Sequence, residues 1–368
     1  ASALVSFRPS DVGSNGSVFA FALAPAGIVQ PPAKRARPSG GAADAPLDFP
    51  NQCVLAQLDS SGHLVQVSAS DLIALASGIL AAQGQAVTIL NNVPVGQVAG
   101  ATFYVGYGTN ANAMLASGAS RSVASVPGGV DCHPQTPQTG WWWNPAEGGR
   151  GYSLEISGNR IFFAAFLYDA SGHATWYVAS GATSFDGAVF TGRLLSVSHG
   201  QTLGGPYQAP APIVDNGPIA LAFTDAMHGT MIWPGGTVPI QRFDFVADGS
   251  TAPPLPDQPE PGWWWNPDEN GRGFFVEWQK GTADLAGYMY DDSGSAVWYI
   301  TLAAPGDPKS LAGTWWQYAG GQTLAGAYQP ATRISDNVAP VTVTFQTPST
   351  AIMTLPGGRQ LPLKRFRF

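Results

Sequence analysis

The last two-thirds of the chain is written twice. Residues 140–180 align without a gap to 262–302, so that each residue of the first copy matches the one 122 positions later. Both copies open on Gly-Trp-Trp-Trp-Asn-Pro, with Trp141, Trp142 and Trp143 matching Trp263, Trp264 and Trp265. Glu147, Arg150 and Glu155 match Glu269, Arg272 and Glu277, and Trp176 matches Trp298. The likeness runs on through Gln201-Thr202-Leu203 and Gln322-Thr323-Leu324 to Arg242-Phe243 and Arg365-Phe366. A repeat of this length means the same folding unit built twice. The chain therefore divides into a first domain (1–127), a linker (128–139), one repeat domain (140–246), a Pro-rich linker (247–261) and a second repeat domain (262–368).

Forty-five Gly and 31 Pro punctuate short strands well and long helices badly. In the first repeat, apolar and polar residues alternate or cluster over 151–156, 161–168, 175–179, 188–195, 219–223, 229–233 and 238–245. The turn Asp169-Ala170-Ser171-Gly172 reads as a hairpin. Seven or eight antiparallel strands on short connections predict a meander, closed as a small barrel or folded as a sandwich. Residues 1–127 are also mostly strand by pattern. The exception is 70–82, where Ser70 can cap and Leu72, Leu75 and Leu80 recur near helical spacing. The expected fold is all-β: an N-terminal Ig-like sandwich with a short helix, then two duplicated antiparallel barrel or sandwich domains. The Pro-rich linker is expected to be extended and semi-rigid.

Charged residues make up 11% of the chain, against about 25% in an ordinary soluble protein. The net charge of −7 argues against a nucleic-acid binder, which needs a basic face to displace counterions. The one basic cluster, Lys34-Arg35-Ala36-Arg37, reads as a solvated loop. No stretch approaches the roughly 18 apolar residues that a membrane helix needs. Cys53 and Cys132 can close a loop of about 80 residues if they form a disulfide in an oxidising compartment, worth at most roughly 4–5 kcal/mol. Ala1-Ser2-Ala3 suits a mature terminus left by signal-peptide removal, and equally an arbitrary boundary.

Three successive Trp cannot all face one side of a strand, because side chains alternate. The expectation is that Trp141 and Trp143 point into the core and that Trp142, with its counterpart Trp264, points out. An exposed indole offers a flat face for a sugar ring, a partner or the neighbouring domain. Glu147 and Arg150, like Glu269 and Arg272, stand three residues apart in a Gly-rich turn; they read as an ion pair or a polar ligand clamp. Asp169 and Asp291 are expected to bond the backbone of their own turns. The five His, at 63, 133, 173, 199 and 228, show no metal-ligand spacing and none recurs in the second repeat. No nucleophile, phosphate-loop or metalloprotease motif is present. A glycosidase pair would have to be drawn from Glu147 with Glu155, or Glu269 with Glu277. No catalytic residue, cofactor or metal is therefore expected.

The string Gly-Trp-Trp-Trp-Asn-Pro-x-Glu-x-Gly-Arg-Gly, followed by Tyr-Asp-x-Ser-Gly-x-x-x-Trp-Tyr, resembles a repeat of exported proteobacterial proteins that has no assigned biochemical role. The resemblance covers about 140–245 and 262–368. It implies export and a surface role, and it supplies no ligand. Together these features lead to the expectation of a non-enzymatic secreted or cell-surface structural or adhesive protein, with a self-assembling fibre or matrix subunit as one form of it. Its partners would then be other copies of itself or surface glycans. A tandem carbohydrate-binding protein is the alternative and a secreted hydrolase a further one.

Overall fold

The computed structural model describes residues 1–31, 53–67, 71–117, 119–130, 132, 136–183, 187–304 and 306–368. The Lys34–Arg37 cluster, Ser70 and His133 lie outside these. The chain is nearly all β, with several antiparallel sheets and a single α-helix among the described residues. No helix among them is long and apolar enough to cross a membrane. The residues fall into two compact units, one within 1–135 together with Gly187, the other comprising 136–183 and 188–368.

The first unit is organised by one long strand, Asn15–Pro25. One edge of it pairs with Thr102–Gly108; the other pairs with Ala74–Ile79 along its first half and with Cys53–Leu58 along its second. Its alternate residues serve two cores, which is why Phe-Ala-Phe-Ala-Leu-Ala reads as a continuous apolar run. Val18, Ala20, Ala22 and Ala24 pack on one side with Val5 and Val87, from the small ladder of Ser2–Val5 with Gln85–Thr88. Phe19, Phe21 and Leu23 pack on the other with Ala111 and Met114 of the helix Ala111–Ser117. Cys53 and Cys132 are joined by a disulfide.

The helix expected over 70–82 is absent where the structure describes that segment, and Ala74–Ile79 is a strand. Leu72 and Leu80 are buried, but Leu75 is exposed, so the three leucines never share a face. Pairing with Asn15–Phe19 gives this backbone its partners, and Gly78, in the left-handed region, is a poor helix residue. Tertiary pairing overrode a weak helical period.

In the second unit the first repeat is an eight-stranded up-and-down barrel. Its strands are Gly140–Trp143, Gly151–Ser157, Arg160–Tyr168, Ala174–Ala182, Val189–Val197, Ile213–Phe223, His228–Trp233 and Gly236–Arg242. Each pairs with the next, and the last returns to the first through Arg242 opposite Trp142. The second repeat has the same strand order in an eight-stranded sheet, and Arg365 stands opposite Trp264. Its seam between Ala296–Ala303 and Ser310–Thr314 is spanned by a single bridge between Ile300 and Trp316. The first barrel is thin at the same place, where Val178 pairs with Leu195 and an isolated bridge joins Thr183 to Phe190.

The Trp alternation holds, but its phase is the reverse of the expected one. Trp142 and Trp264 are each 1% exposed and fill the two repeat cores, against Phe223 and Phe345 respectively. Trp141 and Trp263 lie on the opposite face and are also buried, because that face is covered by the other repeat. The two repeats share a continuous aromatic core in which Trp141, Tyr168 and Trp176 join Phe275, Tyr290 and Trp298. Residues 247–261 do not hold the repeats apart. They lie along the second repeat, where Asp257 meets Lys309 at 3.0 Å and Glu260 meets Arg367 at 2.6 Å.

Candidate functional site: two aromatic pockets between the repeats

The geometry between the repeats follows from residues that occur once in each copy. The Glu277 carboxylate accepts the Trp141 backbone N–H at 2.6 Å and pairs with Arg242 at 2.5 Å. The Glu155 carboxylate accepts the Trp263 N–H at 2.5 Å and pairs with Arg365 at 2.5 Å. All four side chains are buried. Each guanidinium also donates to the carbonyl of the same Trp. Burial pushes the Glu155 carboxyl above its ordinary range, while Arg365 draws it back.

Other contacts are reciprocal as well. Trp176 Nε1 donates to the Met289 carbonyl at 3.0 Å, and Trp298 Nε1 donates to the Leu167 carbonyl at 3.1 Å. The Tyr290 N–H donates to the Gln201 carbonyl, and the Tyr168 N–H to the Gln322 carbonyl, both at 3.2 Å. Residue for residue this is an isologous, two-fold interface folded into one chain.

The first Gly of the motif belongs to this arrangement. Gly140 and Gly262 both have φ in the left-handed region, and a Cβ on Gly140 would run into Arg242 and Glu277. Asn144 and Asn266 then turn the chain, each accepting a backbone N–H two residues on at 3.1 Å. The turn returns through the Glu-x-x-Arg element. Arg150 pairs with Glu147 and lies over the Trp233 ring at 5.3 Å. Arg272 pairs with Glu269 at 2.8 Å and donates to the carbonyls of Thr202 and Leu203. Glu269 also binds Arg359. Burial lowers the Arg272 guanidinium to about 10.

Beside each Trp strand, where the two repeats meet, lies a pocket. The larger, of about 350 Å³, is lined among others by Trp141, Trp143, Arg150, Asp284, Trp298 and Trp316. Its counterpart, of about 200 Å³, is lined among others by Trp263, Trp265, Arg272, Phe162, Trp176 and Tyr290. The two Trp strands, the Arg and the flanking Gly residues correspond across the repeat, and the linings differ in charge at one position. Asp284 stands in the larger pocket where the duplication places Phe162 in the smaller.

Of the residues singled out from sequence, Arg150 and Arg272 line the pockets directly. Glu147 and Glu269 hold those guanidinia, so the ion-pair reading of the turn describes them. Trp142 and Trp264 touch the pockets from inside the cores and expose almost nothing, whereas Trp143 and Trp265 are the partly exposed indoles. Asp169 and Asp291 serve their turns as expected, each accepting two backbone N–H groups at 2.8–3.0 Å. Glu155 and Glu277, considered above as catalytic carboxylates, are each bound to a guanidinium of the opposite repeat. Sequence reasoning missed Asp284. The signal available was the substitution of a carboxylate for Phe162 within an otherwise apolar strand. Among the described residues no group of three or more His, Cys, Asp or Glu is placed to hold a metal ion. Comparison of the chain with family models, with curated proteins and with solved structures finds no match in any of the three.

Proposed function

We propose that the chain is a non-enzymatic, exported binding protein in which the repeat pair acts as one receptor with two related pockets. One observation carries this reading. The repeated residues Trp141, Trp143 and Arg150, and their counterparts Trp263, Trp265 and Arg272, border an open cavity in both copies. Protein interiors otherwise pack to near-crystalline density, and a concave apolar pocket with a few polar groups is the usual form of a small-molecule site. Sugar rings would suit the indoles, but their hydroxyls would find few polar partners on these walls. The linings favour a compact ligand with an apolar face over an extended glycan.

The test is saturable binding of the uncharged aromatic dye N-phenyl-1-naphthylamine to the folded chain. Trp143→Ala combined with Trp265→Ala is expected to abolish most of it, with far-UV circular dichroism unchanged. Dye binding that survives the double substitution would count against the pockets as ligand sites, and a glycan array reports the carbohydrate alternative directly.

A self-assembling fibre or matrix subunit is a second reading, favoured by one feature of the first unit. Strand Ala74–Ile79 pairs along only one edge among the described residues, and Ile73, Leu75 and Ile79 there are exposed, a pattern suited to strand addition. Sizing and micrographs that reveal only dispersed monomer would remove this reading.

A further inference from the structure

We propose that the larger pocket is a binding site for an alkylated organic ammonium cation, held by the Asp284 carboxyl among indole rings. The proposal rests on the pocket being a ligand site and goes on to name the class of ligand.

Asp284 lies in the strand Thr282–Tyr290 and is 4% exposed. Its Oδ1 is buried and has no hydrogen-bond partner. Its neighbour across the ladder is Glu277, a like charge whose carboxylate is already taken by Arg242, Gln279 and the Trp141 N–H. Burial and Glu277 together push the Asp284 carboxyl well above the ordinary carboxylate range. An unpaired buried carboxyl is destabilising, and the first repeat avoids that cost by carrying Phe162 at the matching position. Among the described residues no side chain pairs with Asp284, so its use lies with whatever enters the cavity.

A cation is the partner that this combination of groups selects. An anion would meet Asp284 beside Glu277, and a neutral apolar ligand would be served better by the Phe of the twin pocket. Trp141, Trp143, Trp298 and Trp316 supply ring quadrupoles that attract cations. The chain already uses that attraction, with Arg333 over Trp316 at 4.9 Å and Arg365 over Trp264 at 5.6 Å. The other charged side chain of the lining, Arg150, is paired with Glu147 through Nη2 and lies over Trp233, while its Nε and Nη1 have no hydrogen-bond partner. An alkylated ammonium group needs few hydrogen bonds, which suits walls with few polar atoms. On binding, the Asp284 carboxylate would pair with the cation, and any proton it carries would leave to solvent.

The experiment titrates the full chain with choline and with its neutral isostere 3,3-dimethylbutan-1-ol, followed by calorimetry and Trp fluorescence. Choline is expected to bind at least about tenfold more tightly than the isostere, the ratio that about 1.4 kcal/mol of charge-dependent attraction gives. Asp284→Asn and Asp284→Phe should each weaken choline at least about tenfold, whereas Asp292→Asn, at an exposed carboxylate outside both linings, should leave it unchanged. Asp284→Phe installs the residue that the first repeat already accommodates, and near-UV circular dichroism reports whether each variant is folded. Equal binding of choline and the isostere, or full choline affinity in folded Asp284→Asn, overturns the proposal. Absence of choline binding while the dye still binds in a Trp143-dependent way overturns the cation assignment alone. Absence of both removes the pocket reading as well.

Discussion

Glu277 of the second repeat is bound by Arg242 of the first, and the same contact is returned by Glu155 and Arg365. Each carboxylate also fixes the backbone N–H of the first Trp in the opposite repeat. The duplicated motif is thus an instruction for pairing as much as for folding. A Glu in the second strand and an Arg at the end of the last strand are positioned so that neither finds its main partner within its own repeat.

Buried ion pairs respond asymmetrically to mutation. Arg242→Met strands the Glu277 charge and is expected to cost about 3–5 kcal/mol in urea unfolding. Arg242→Met combined with Glu277→Leu leaves no stranded charge and should recover much of that loss. A double variant no more stable than the single one would refute this account of the pair.

Gly140 should tolerate no side chain. In Gly140→Ala the Cβ would meet Arg242 and Glu277 and would also force a left-handed φ on alanine, for an expected loss of about 1–3 kcal/mol. Gly148→Ala is the control, since its Cβ would meet nothing within 4 Å and its φ is not left-handed. Thermal melts of the two variants should separate clearly.

Asp284 should make the protein less stable as pH rises. Its folded-state pKa lies above the ordinary 3.8, so the native state holds the proton more tightly than the unfolded state does. The relative stabilisation is complete below about 3.8 and is lost as pH climbs towards the folded value. Asp284→Asn, which cannot ionise, should therefore be more stable than the parent at neutral pH and should lack this part of the pH dependence. Urea midpoints measured from pH 4 to pH 8 would reveal the crossover.

The disulfide joins residues 79 apart in sequence, a separation for which loop-closure entropy gives about 4.5 kcal/mol as an upper figure. Replacing Cys53 and Cys132 by Ala should lower the melting transition of the first unit by a corresponding amount. Calorimetry would resolve that transition, and an unchanged melting point would show that the bridge contributes little.

The sequence by itself determined the β character, the duplication, the strand order within each repeat and the roles of Asp169 and Asp291. These depend on local chemistry: alternation, turn residues and a repeated pattern. Two cysteines allow one connection, but the residue order left open whether Cys53 and Cys132 are bonded, and the structure joins them. The tertiary structure decided what faces what. The run of three Trp carries an alternation but no phase, and the phase turned on whether the second face meets water or another repeat. Because it meets the other repeat, Trp142 and Trp264 went into the cores and Trp141 and Trp263 into the shared interface. The Leu72, Leu75 and Leu80 spacing likewise gave way to a strand once Asn15–Phe19 offered its edge. Asp284 was legible only as one polar residue in an apolar strand. Its lack of a partner, and the cavity beside it, exist only where the strand ladder and the opposite repeat's Trp strand come together.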